Sequence, residues 1–65
     1  MSSKKHTSDI SEATCATYLV TGEIVEVVEP ILGEYGRRYW LCRQENDELV
    51  IAEEDSLSNY FYWTA

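Results

Sequence analysis

Glutamates recur at positions 23, 26 and 29, and further acids follow at Glu34, at Glu45, Asp47 and Glu48, and in the run Glu53-Glu54-Asp55. Carboxylates grouped this way support two kinds of chemistry: a general acid and base sharing protons, or fixed negative charge presented to a cationic partner. The first requires a pocket of roughly 300 Å³ that strips water from a carboxylate, and a chain this short has little interior to build one. Nucleophilic catalysis has no better footing. The one histidine, His6, lies in a polar stretch that gives neither cysteine nor serine a rigid base. No zinc spacing occurs, and Asp47 to Asp55 lacks the alternate acids and central glycine of a calcium loop. The sequence therefore predicts no enzyme, no metal and no cofactor.

Fixed charge fits the composition better. The 65 residues hold 12 Asp and Glu against 5 Lys and Arg, a net charge of −7. Two of the cations, Lys4 and Lys5, fall in residues 1–8, so residues 9–65 carry −9. A field of that sign repels nucleic acid and anionic membranes and steers basic surfaces toward the chain. Apolar residues make up 45% of the chain, too many for a disordered segment, and the length suits one domain. Met1 to Ser8 has lysines but no apolar run after them, so neither a signal peptide nor a membrane helix is expected. A cytoplasmic protein follows, with Cys15 and Cys42 as reduced, buried thiols.

The elements that must hold these acids are short. Residues 1–8 read as a flexible leader and residues 9–65 as a single small globular domain. Asp9 with Glu12 three residues later fits a helix N-cap and capping box, which predicts a short helix from Ile10 to about Tyr18. Tyr18 to Glu29 reads as a strand because Val20, Thr21, Ile24, Val25, Val27 and Val28 are β-branched, with Pro30 ending it. Strict alternation there puts Glu26 opposite Glu23 and Glu29 unless Gly22 or a neighbour forms a bulge. A loop at Pro30 to Gly36 leads to a second strand, Arg37 to Arg43, and a hairpin turning at Asn46-Asp47 leads to a third, Leu49 to Ala52. A two-residue turn pairs Cys42 with Ile51, and so turns Trp40, Cys42, Leu49 and Ile51 toward the core. The aromatic end Tyr60-Phe61-Tyr62-Trp63 closes that core, with Phe61 and Trp63 on one face and the two tyrosines on the other. The fold class expected is α+β, mainly β: a three- to four-stranded antiparallel sheet with a short N-terminal helix, SH3-like in size.

Arg37-Arg38 beside Tyr39 and Trp40 superficially suits nucleic-acid stacking, but the acids outnumber the arginines and pair with them more readily. The acids themselves have a usable spacing. Carboxylates at alternate strand positions lie about 6.6 Å apart, comparable to the spacing of duplex phosphates, which rise about 3.4 Å per nucleotide while also winding sideways. Glu23, Glu26, Glu29 and Glu34 at one side of the sheet, and Glu45, Asp47, Glu48, Glu53, Glu54 and Asp55 near the other, are the residues expected to meet Lys and Arg of a partner in place of phosphates.

In size, in the acidic runs Glu23 to Glu29 and Glu53 to Asp55, and in the aromatic end Tyr60 to Trp63, residues 9–65 resemble the small phage-encoded anti-CRISPR proteins that inhibit type I systems. The resemblance implies an inhibitor in the host bacterial cytoplasm that mimics DNA. It implies as partner a Cascade subunit, in particular the type I-C large subunit that recognises the protospacer-adjacent motif. A monomer is expected. The alternative is an SH3-like interaction module in which Tyr35, Tyr39, Tyr60 and Trp63 line a peptide groove and the acids serve solubility.

Overall fold

β-Branched and aromatic residues dominate from Cys15 onward, and nearly all of them enter strands. A computed structural model describes residues 3–64; Met1, Ser2 and Ala65 lie outside the described residues. Its strands are β1 (Ser3–His6), β2 (Cys15–Tyr18), β3 (Glu23–Leu32), β4 (Arg38–Arg43), β5 (Leu49–Glu53) and β6 (Leu57–Thr64). They form one antiparallel sheet in the order β1-β6-β2-β3-β4-β5, open at β1 and β5.

Six strands replace the three or four expected, and the N-terminal helix is a single 3-10 turn, Ile10–Glu12. Asp9 does cap it, accepting the Ser11 backbone N–H at 2.9 Å. The turn stops there because Thr14, Cys15, Thr17 and Tyr18 gain more from a pleated ladder than from a helix, and residues 15–18 become β2. The leader is also corrected. Residues 3–6 pair with β6, Lys4 opposite Trp63 and His6 opposite Phe61. The stretch expected as one strand from Tyr18 to Glu29 is divided by a turn at residues 19–22, where Gly22 takes φ 77° and donates its N–H to the Tyr18 carbonyl at 2.7 Å.

Pro30 does not end β3. It pairs with Trp40 inside the strand, past the point where β2 has stopped pairing at Glu26, so its missing N–H falls on an unpaired side. Between these two halves of β3 sits a bulge: Val27 opposes Cys42 and Glu29 opposes Leu41, leaving Val28 as the extra residue. A bulge bends a strand and deepens its twist, which lets one sheet fold over its own inner face. Ala16, Val25, Trp40, Cys42, Ala52 and Leu57 meet on that face, and Ile10 from the 3-10 turn covers them. A second extra residue, Asn59 at φ 53°, lies where β2 and β6 change register, and it sends Tyr60 inward and Phe61 outward.

The β4–β5 hairpin carries the most consequential correction. Arg43 pairs with Leu49 and Cys42 with Val50, so the connection is longer by one residue than a two-residue turn. Gln44 and Glu48 close it, with the Gln44 N–H on the Glu48 carbonyl at 2.8 Å and the Asp47 N–H on the Gln44 carbonyl at 2.9 Å. Asp47 takes φ 67°, the left-handed residue that three-residue hairpin loops place last. One added residue reverses every side chain that follows. Val50 and Ala52 therefore face the core with Trp40 and Cys42, and Leu49 and Ile51 face out.

The β3–β4 connection holds a strained residue. Tyr35 sits at φ 57° and ψ 30° while 98% exposed, so the left-handed backbone is offset by no packing of its side chain. Tyr35→Gly is expected to raise stability by about 0.5–1 kcal/mol, less than the full cost of the left-handed conformation because glycine is freer when unfolded. A thermal melt reads this as a rise of a few degrees, and an unchanged or lower midpoint contradicts it.

Candidate functional site

Every acid named from the sequence lies at or near the surface, and no charged residue is buried among the described residues. The strands sort them into two groups at opposite ends of the β3–β4–β5 ribbon. At the hairpin end, Glu45, Asp47 and Glu48 belong to the β4–β5 loop, and Glu26 stands beside them opposite Arg43, with Arg43 Nη1 3.6 Å from Glu26 Oε2. At the other end a shallow cleft of about 310 Å³ is lined by Gly36, Arg37, Arg38, Glu53, Glu54 and Asp55. Arg37 Nη1 lies 3.8 Å from Glu53 Oε1, and the Arg37 N–H donates to the Glu34 carbonyl at 3.1 Å. These two ion pairs are exposed and contribute little to stability.

Two acids stand apart from both groups. Glu23 begins β3 on the inner side opposite Tyr18, and Glu29 lies mid-ribbon opposite Leu41. The bulge at Val28 brings Glu29 to the same face as Glu26 and leaves Glu23 on the other, where strict alternation joins Glu29 to Glu23. The sequence grouped Glu34 with Glu23 to Glu29; the fold places it with Glu53, Glu54 and Asp55. Burial, reinforced by the charges of Glu54 and Asp55, pushes the Tyr60 phenol above its ordinary value.

The four aromatics of the peptide-groove alternative do not share one groove. Tyr35 and Tyr39 line the same shallow surface with Glu34 and Arg37, Tyr60 packs against the inner core, and Trp63 lies on β6 near the β1 edge. Tyr39 is fixed by Gly33, whose backbone its ring approaches too closely to admit a Cβ. Phe61 is 3% exposed, yet on the outer face rather than in the main core: Lys4 Nζ sits 4.2 Å from its ring centroid, and Trp63 meets it edge-on at 5.8 Å. His6 stands against the same ring at 6.3 Å. Cys15 and Cys42 are free thiols on opposite faces of the sheet, and burial raises the Cys42 thiol above its ordinary value. Among the described residues no group of three or more His, Cys, Asp or Glu is placed to hold a metal ion, and no helix is long and apolar enough to cross a membrane.

The feature that sequence reasoning missed is the outer face of the ribbon. Cross-strand rows run Glu29-Leu41-Ile51, then Ile31-Tyr39-Glu53 on one side and Glu26-Arg43-Leu49 on the other. Leu49 and Ile51 are 57% and 59% exposed where an outward strand position normally carries a polar residue. The five residues Gln44 to Glu48, read as a three-residue loop with Asp47 left-handed, hold the signal that would have found it.

Fold and site together define a small acidic protein built on an open, self-covering antiparallel sheet. Compared with known proteins, the chain matches no family model, no curated protein and no solved structure.

Proposed function

We propose that the protein is a non-catalytic inhibitor whose carboxylates occupy the nucleic-acid-binding surface of a basic partner. The observation that carries this is the state of the acids: 12 carboxylates, none buried, with two arginine pairs within 4 Å among the described residues. An excess of this size lies free to meet a cationic surface, and it acts through numbers and steering more than through any one contact. The acids flanking β5 add to this. Glu48 and Glu54 flank the five residues of β5, six residue steps or about 20 Å apart, which matches roughly six phosphate rises along the axis of one DNA strand. The resemblance to type I anti-CRISPR proteins makes the Cascade large subunit of a type I-C system, met in the host cytoplasm, the first partner to test.

The test is charge reversal of the hairpin acids in one variant, Glu45→Lys, Asp47→Lys and Glu48→Lys together. Binding to immobilised Cascade at low salt is expected to weaken at least tenfold, following the ~0.2–1 kcal/mol per exposed pair plus the repulsion introduced. Added duplex DNA is expected to displace the unaltered protein, and raised salt to release it. Affinity unchanged by the triple reversal, or binding indifferent to DNA, would sink the proposal.

A further inference from the structure

The outer face of β3–β5 carries an apolar strip on β4 and β5, bordered by Glu29 on β3, and is acidic at both ends, and we propose that it docks an amphipathic helix of the partner, with an aliphatic stripe flanked at each end by Lys or Arg. This rests on the reading of the acids as partner-binding and names the surface and the chemistry that meets it. The apolar strip consists of Leu41, Leu49 and Ile51, of which Leu49 and Ile51 are 57% and 59% exposed, and the bulged Val28, 44% exposed, lies beside it between Val27 and Glu29.

Its dimensions suit one helix. Three strands spaced about 4.8 Å apart make a ribbon about 10 Å wide, the diameter of a helix with its side chains. From the Leu49 row to the Tyr39 row is four residues along β4, about 13 Å, which two to three helical turns cover. The surface turns acidic in both directions, at Glu45, Asp47 and Glu48 past the Leu49 row and at Glu53 in the Tyr39 row with Glu54 and Asp55 beyond it, where the acids outnumber Arg37 and Arg38 of the same cleft. Charge decides the occupant. A second copy of this chain would bring acids to acids in either orientation, because both ends of the face carry the same sign and each copy carries −7. A helix with basic ends meets each end with the opposite charge and covers the leucines and the isoleucine between.

Two synthetic probes separate the contributions: a lactam-bridged helix of roughly 14 residues with leucines every three or four positions and lysines at both ends, and the same peptide with serine for each leucine. The leucine peptide is expected to bind at least tenfold more tightly, shifting backbone amide resonances of Val28, Leu41, Leu49 and Ile51. The double variant Leu49→Ser, Ile51→Ser, altered only at exposed positions, is expected to lose that tenfold while binding the serine peptide as before. Equal affinity for the two peptides would overturn the docking face and leave the acid reading standing. Shifts confined to β1 and β6, or a concentration-dependent dimer abolished by Ile51→Ser, would overturn it in favour of another surface or a second copy. Failure of both peptides to bind at low salt would bring down the acid reading with it.

Discussion

Trp40→Ala is expected to cost about 3–5 kcal/mol, a third or more of the stability a domain this size can hold, while Trp40→Phe is expected to change stability by no more than ~1 kcal/mol. Trp40 is 8% exposed, at the centre of β4, with Pro30 and Ala52 as its cross-strand neighbours. It is the largest side chain of the inner cluster, whose other members include two alanines, a cysteine and a valine, so no neighbour can fill its space. Truncating a buried aromatic to alanine costs about 3–5 kcal/mol, and a domain of this size holds only about 3–10 kcal/mol in total. Phenylalanine differs in one further respect. The Trp40 Nε1–H is withdrawn from solvent with no hydrogen-bond partner among the described residues, a penalty of about 1–3 kcal/mol that the tryptophan carries and phenylalanine does not. Removing that donor offsets much of the packing lost with the smaller ring. Urea unfolding followed by circular dichroism measures both variants on the same scale. Equal damage from alanine and phenylalanine would mean that the indole ring, rather than its apolar bulk, holds the core together.

Deleting Asn46 is the second change with a large expected effect, a loss of at least ~3 kcal/mol. A two-residue connection would force either a strained loop or a shift of β5 by one position. The shift would turn Leu49 and Ile51 inward to the places of Val50 and Ala52, adding about four methylene-sized groups to a cluster already closed at Ala52, which is 1% exposed. It would also expose Val50 and Ala52 in return. The expected readout is a melting midpoint lower by more than ten degrees, given about 4–8 °C per kcal/mol for a domain this size. Replacing Asn46 by glycine keeps the loop length and serves as the control, with an expected change below ~1 kcal/mol from loss of the Asn46 Oδ1 contact to the Glu48 N–H. A deletion variant as stable as the parent would show that the loop length does not set the register.

This hairpin also shows what could be read from the sequence. β4 was legible to within one residue, because Tyr39 to Cys42 alternates half-covered and buried positions with aromatic and aliphatic residues that favour a pleated surface. So was the existence of β5 and of β3, but not the place of the bulge, for which Gly22 was the candidate and which falls at Val28 because Gly22 is used in the turn before β3. What local pattern could not supply was count: Gln44 to Glu48 offers turn residues at several positions, and each choice is locally acceptable while only one leaves small residues against Trp40. The same holds for β1. Ser3 to His6 has no apolar periodicity, and it becomes a strand because Phe61 and Trp63, turned outward by the extra residue at Asn59, offer rings for Lys4 and His6 to cover. The N-cap at Asp9 was legible, and the length of the helix it starts was not, since β pairing from residue 15 overrides it. For the acids, identity and exposure could be read from the sequence, but their grouping at the two ends of one ribbon depends on the bulge at Val28 and on the loop length.

The pairing of Ser3 with Thr64 spans almost the whole chain, whereas β4 and β5 meet across a few residues. Closing a loop costs about 0.6 kcal/mol of chain entropy for each doubling of its length, so aligning β1 on β6 costs about 2 kcal/mol more than closing the hairpin. β1 recovers this with four exposed residues, Lys4 and His6 against the one Phe61 ring, and no contribution to the inner cluster. The ladder at that edge is therefore the first to open in the native state, and the meander from β3 to β5 that carries both acidic ends keeps its shape when it does.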